Sequence, residues 1–165
     1  MFKHLLIPLD TSRFAEAALP YAQTLAENFD GKMTLVCVIE HPLYFGDEFT
    51  STMELEAAAY ESALADARQY FKGVVTTLHK QGYDVDYAII EGRQAADAIL
   101  KTAVSVAADA IVMSTHGRSG LGRWLLGSVA DKILRHASIP VLLTRPKEDS
   151  PAFVWHVDNE AEAIA

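Results

Sequence analysis

From Ser114 to Ser128 the chain reads Ser-Thr-His-Gly-Arg-Ser-Gly-Leu-Gly-Arg-Trp-Leu-Leu-Gly-Ser. Glycines let a backbone approach an anion closely. The free N–H groups that open a following helix, at Gly127, Ser128 and Val129, offer it donors and the positive end of a dipole. Arg118 and Arg123 can add charge-assisted bonds. The chemistry this favours is the wrapping of a phosphate; the local alternative is a glycine-rich surface loop running into an ordinary helix. The net charge is -8, yet from Arg118 to Lys147 the cations Arg118, Arg123, Lys132, Arg135, Arg145 and Lys147 face only one acid, Asp131.

Known loop patterns narrow the reading. Gly122 to Ser128 has the spacing of a Walker loop but lacks its lysine, and Gly120-Leu121-Gly122 fails the dinucleotide pattern at its third glycine. No Gly-x-Ser-x-Gly elbow supplies a hydrolase nucleophile. Asp10, in Pro8-Leu9-Asp10, can contact a ligand or cap a helix together with Ser12. His116 can contact a ligand or simply hydrogen-bond the turn. The histidines show no i,i+4 ligand pair, so no structural metal site is expected. The single cysteine, Cys37, lies in an apolar run; it forms no internal disulfide and reads as a buried thiol.

These residues must be held by a fold. Apolar runs at 5–9, 33–39, 110–113 and 141–144, with a weaker one at 85–90, read as strands. Three of them are nearly continuous, as in a parallel sheet covered on both faces. The run 85–90 alternates and Pro140 heads the last run, which places both at sheet edges. Helical periods lie between them. One runs from Phe14 to Phe29, with Ser12 as its cap, Gly31 as its stop, Tyr21 and Phe29 on its inner face, and a local bend at Pro20. A second starts in the capping box Ser51 to Glu54 and ends near Gly82, with Leu64, Ala67, Phe71, Val74, Val75 and Leu78 inward. A third spans 94–107, and a fourth starts in a capping box Ser128 to Asp131 and ends by Ser138.

The resulting β-α-β alternation implies a doubly wound parallel sheet with helices on both faces, in the order 2-1-3-4-5 or 3-2-1-4-5. In the second order a ligand crevice opens at the carboxyl ends of the first and fourth strands. The segment 41–50 reads as a flap over a site or a loop folded onto the core.

At 165 residues and 50% hydrophobic composition, one domain over 1–146 is expected, followed by an acidic tail over 147–165 outside the fold. Within that tail Phe153-Val154-Trp155 can dock on the domain, on a second subunit or on a client. The acidic balance argues against nucleic acid and anionic membrane as partners, no run reaches 18 apolar residues, and the start is too short for a signal peptide, so a cytoplasmic protein is expected.

Gly117, nine residues, then Gly127-Ser128, preceded by Thr115-His116, combine with Leu6-Ile7-Pro8-Leu9-Asp10 and Ala137-Ser138-Ile139-Pro140-Val141-Leu142. Together they resemble the universal stress protein family over residues 2 to 145. The resemblance implies the 3-2-1-4-5 order and a site for ATP, or ADP or AMP in its place, with Mg²⁺ as an optional companion. It assigns Pro8, Leu9 and Asp10 to a turn against the nucleoside and Val38 to a backbone contact with adenine. Met113, Ser114, Thr115, His116 and Gly117, with Gly127, Ser128 and Val129, become the phosphate loop, beside Arg118. The family pattern opens with Gly-x-x-Gly, and Ser114 replaces its first glycine, adding a side chain where backbone approaches the ligand and a hydroxyl that can donate to it.

The expected function is that of a stress-response regulator whose shape or partner choice follows nucleotide occupancy, a binding module more than an enzyme. One rival is a slow ATP hydrolase or nucleotide transferase acting through Asp10 or His116. Against it, no acidic residue lies between Ser114 and Val129. The other rival is a nucleotide-free interaction module. A homodimer through Val141 to Thr144 is expected; protein clients remain unnamed.

Overall fold

The structure is a computed structural model that describes residues 1–41, 51–115, 126–145 and 153–155, with 51–53 described by their backbone alone. Strands β1 (His4–Pro8), β2 (Lys32–Glu40), β3 (Val85–Gly92), β4 (Ala110–Ser114) and β5 (Val141–Thr144) form one parallel sheet in the order β3-β2-β1-β4-β5. The weak run and the proline-headed run are indeed its edges. Helices α1 (Arg13–Glu16), α2 (Leu19–Phe29) and α3 (Ser51–Lys80) cover one face; α4 (Ala95–Ser105) and α5 (Ser128–His136) cover the other.

The near-continuous apolar strands follow from this two-sided burial, because successive side chains must enter opposite cores. Leu5, Ile7, Met33, Leu35, Ala110 and Val112 pack under α2 and α3, whereas Leu6, Val36, Ile111 and Met113 pack under α4 and α5. Cys37 is buried in the first of these cores.

Several sequence expectations need correction. The helix over 14–29 is not one bent helix but two, α1 and α2, and Pro20 sits in the first turn of α2. The first N–H groups of a helix have no intrahelical acceptor, so the proline sacrifices nothing there. Tyr21 and Phe29 are 55% and 40% exposed, at the rim of the apolar face. Asp30, not Gly31, takes the left-handed stop, with φ 49°. Gly31 meets another need: a Cβ there would collide with the carbonyl oxygen of Phe2.

At α5, Gly127 is the N-cap, Ser128 is the first helical residue, and no side chain caps the helix. The expected capping box is therefore absent, and the Asp131 carboxylate instead accepts from Arg135 Nε at 2.9 Å. That bond, together with the cation's charge, holds its pKa below the usual range. Of the options for the tail, Phe153 and Trp155 take docking on the domain itself: both pack against the core, Trp155 beside Tyr70 and Gly73 of α3. The expected flap lies outside the described residues apart from His41, which stacks on Tyr60.

Candidate functional site

The three inner strands run out together at one edge, and the chain that leaves them is tied by backbone bonds. Leu9 N–H donates to Val36 O at 2.8 Å and Thr115 N–H to Thr144 O at 2.9 Å. Winding reverses between β1 and β4, where helices leave for opposite faces of the sheet, so a cleft opens at their carboxyl ends. It encloses about 290 Å³, near the lower end of the roughly 300–1,000 Å³ usual for small-molecule sites.

Pro8, Leu9, Asp10, Val38, Met113, Ser114, Gly127, Ser128 and Val129 all line this one cleft. His116, Gly117 and Arg118 lie outside the described residues. Thr115, part of the same strand-end motif, also lines it, as do Ala15, Val36, Ala95, Ile99 and Ala130, which sequence reasoning did not assign to the site. Ala95 and Ile99 come from the inward stripe of α4, which the periodicity marks only as core; it is the topology that carries that stripe to the cleft.

The lining combines two chemistries. Val36, Val38, Ile99 and Met113 contribute apolar side chains. In α5, Asp131 N–H to Gly127 O, at 2.8 Å, is the first intrahelical bond, which leaves the N–H groups of Ser128, Val129 and Ala130 without intrahelical acceptors at a positive helix end. Gly127 N–H donates to Thr115 O at 3.0 Å, so the chain between them departs and returns at one point. The backbone of Gly127, with φ -59° and ψ 147°, suits any residue. What crowds a larger one is proximity, since a Cβ would lie 3.1 Å from Thr115 O.

Asp10 has the capping role as well as its place in the cleft. Its Oδ1 accepts from Ser12 N–H at 3.1 Å and Oγ at 2.6 Å, and Ser12 Oγ accepts from Ala15 N–H at 3.2 Å. Thr11 between them is held at φ 67°, an uncommon conformation for a β-branched residue. Among the described residues no three His, Cys, Asp or Glu side chains converge on a metal position.

A parallel sheet with this order, with a cleft at its switch point lined by an uncapped helix start, defines a doubly wound α/β domain. The profile of the universal stress protein family matches residues 1–145, and the chain belongs to that family. A universal stress protein of Methanocaldococcus jannaschii is 30% identical over 150 residues, spanning 90% of this chain and 86% of the relative. The solved structure of the hypothetical protein MJ0577, a test case for structure-based assignment of biochemical function, superposes with a TM-score of 0.77 at 26% identity, covering 90% of this chain and 99% of that one. The universal stress protein from Archaeoglobus fulgidus in complex with dAMP shares the fold, with a TM-score of 0.57 at 21% identity over 87% of this chain and 98% of that one. Among the described residues no helix is long and apolar enough to cross a membrane.

Proposed function

We propose that this chain binds an adenine nucleotide in the cleft between the ends of β1 and β4 and that occupancy regulates its association with other proteins in a stress response. The observation that carries the reading is the mixed lining of the cleft: it combines apolar side chains at Val36, Val38, Ile99 and Met113 with the start of α5, whose first N–H groups lack intrahelical acceptors. A flat aromatic base suits the apolar side chains, and phosphate suits the helix end. In this reading the Asp10 carboxylate accepts from ribose hydroxyls. The dAMP complex of the Archaeoglobus relative supports the choice of adenine. His116, Gly117 and Arg118 belong to the same proposal as the remaining phosphate contacts. Mg²⁺ would be held chiefly by the phosphates, because Asp10 is the only carboxylate among the described residues lining the cleft.

Titration calorimetry with AMP and with ATP plus Mg²⁺, followed by product analysis, tests the reading. Bound, intact nucleotide supports it; product in stoichiometric excess replaces it with a hydrolase, and absence of binding with a nucleotide-free interaction module.

The same reading includes a homodimer through β5. Val141 to Thr144 form an edge strand, with Leu142 40% exposed, and Pro140 precedes the donors that a second copy would engage. Light scattering at micromolar concentration should give the mass of two chains, and Leu143→Pro should reduce it to one. A dimer that survives the substitution places the interface elsewhere.

A further inference from the structure

One buried carboxylate lies a single residue from the cleft and is not used by it. Glu16 closes α1 and is 6% exposed. Tyr70 Oη donates to its Oε1 at 2.8 Å, and the backbone N–H of Phe153 donates to its Oε2 at 3.1 Å. One oxygen thus serves α3 and the other serves the C-terminal segment. Two residues further on, Trp155 stands edge-on to Tyr70, with ring centroids 5.4 Å apart and planes at 82°.

The seat of that ring is cut into α3. Gly73 is buried in the middle of the 30-residue helix, and a Cβ there would lie 2.8 Å from Trp155 Cζ3 and closer still to Cε3. Glycine in a helix interior costs about 1 kcal/mol relative to alanine. Its presence under the indole shows that the helix surface is shaped for this ring and not merely covered by it.

The other end of α1 belongs to the cleft. Four residues make too short a helix to persist alone, so its neighbours must hold it. On one side the Asp10 carboxylate and Ser12 hydroxyl cap it, and its Ala15 lines the cleft. On the other side Glu16 is held by Tyr70 and Phe153. The two sides also sense each other electrostatically: burial raises the Glu16 pKa, the two donors lower it, and the charge of Asp10 raises it further.

We propose that residues 153–155 are an intramolecular strap that fixes α1, and with it the Asp10 turn, in the shape the cleft needs, so that docking of the segment and binding of a nucleotide favour each other. The second half rests on the nucleotide reading above. Coupling of this kind is reciprocal, so nucleotide must tighten the strap as much as the strap tightens nucleotide.

Hydrogen exchange at the Ser12 and Ala15 amides, together with AMP affinity, tests both halves in wild type, Trp155→Ala and Gly73→Ala. The glycine variant keeps the ring but fills its seat, and it raises helix propensity, so a failure to fold does not explain its behaviour. Both variants should exchange these amides on the order of tenfold faster and bind AMP roughly fivefold more weakly, the lower end of typical coupling. Unchanged exchange overturns the strap. Faster exchange with equal AMP affinity overturns the coupling. If wild type binds no AMP while the amides respond, the nucleotide reading fails and takes the coupling with it, but the strap over α1 stands.

Discussion

The cleft at β1 and β4 and the seat beneath Trp155 are both recesses kept by a glycine whose added Cβ would meet a close neighbour, and neither glycine is needed for an unusual dihedral. At Gly127 the obstacle is backbone, the carbonyl of Thr115, in a loop whose two ends meet there. At Gly73 it is a side chain of the same protein, already in place. The first recess keeps donors and apolar side chains lining open space; the second is filled with an aromatic ring and its nearby carboxylate is satisfied on both oxygens. The difference teaches that a missing Cβ can keep room for an outside ligand or for the chain itself, and that the surrounding polar groups tell which. Donors left without acceptors point outward, whereas a fully partnered carboxylate points to internal docking.

The comparison breaks most sharply at Gly127. Gly127→Val should weaken AMP and ATP binding roughly a hundredfold, about 2.7 kcal/mol, by calorimetry, while far-ultraviolet circular dichroism stays unchanged. Gly127→Ala should lose less, because a lone Cβ at 3.1 Å from Thr115 O requires a shift of only a few tenths of an ångström. Equal affinity in Gly127→Val would mean that no ligand is held at that loop.

Asp10→Ala should cost about tenfold for AMP and ATP alike, the loss of one charge-assisted bond. Since Asp10 also caps through Ser12, Asp10→Asn is the proper control: it keeps an acceptor for the turn and removes only the charge. A loss confined to ATP would move Asp10 from the ribose to the phosphates or their metal.

Gly73 offers a test by sign. In the wild-type background Gly73→Ala should destabilise, because it evicts Trp155; in a Trp155→Ala background the same change should stabilise by about 0.5–1 kcal/mol through helix propensity. Urea midpoints of the four proteins form the cycle. Additive effects would show that ring and glycine do not meet in solution.

What could be read from residues follows the same division. The sheet was legible because two-sided burial imposes continuous apolar runs, and the cleft because Pro8-Leu9-Asp10 and the long-spaced glycines sit at strand ends, where a doubly wound topology collects them. The split between α1 and α2 was hidden because alanines at 15, 18, 22 and 26 keep helical spacing across the break, and small side chains pack in either geometry. The capping box at Ser128 failed on register: Gly127 already occupied the cap, so Ser128 lay one position inside the helix. Gly73 carried no local signal at all, since its meaning depends on a tryptophan 82 positions later in the chain. Contacts of that range are decided by tertiary packing, which neither periodicity nor a motif encodes.

The smallest effect tests what makes the second recess internal. Burial is the chief cause that lifts the Glu16 pKa; bonds from Tyr70 and Phe153 oppose it, and Asp10 adds to the rise. A carboxyl whose folded pKa exceeds its unfolded value contributes stability that is fully present below the unfolded value, about 4.3 for glutamate, and lost as pH rises through the folded value. Gln at position 16 cannot ionise, keeps an oxygen for the Phe153 N–H, and can turn its amide toward the Tyr70 oxygen. The stability of Glu16→Gln relative to wild type should therefore increase as pH is raised from about 4 to about 7, as read from urea midpoints across that range. In the Trp155→Ala background the increase should shrink, because releasing the segment returns water to the carboxylate. A difference independent of pH in the intact chain would mean that the bonds from Tyr70 and Phe153 offset burial and the charge of Asp10 in full, which overturns the raised pKa.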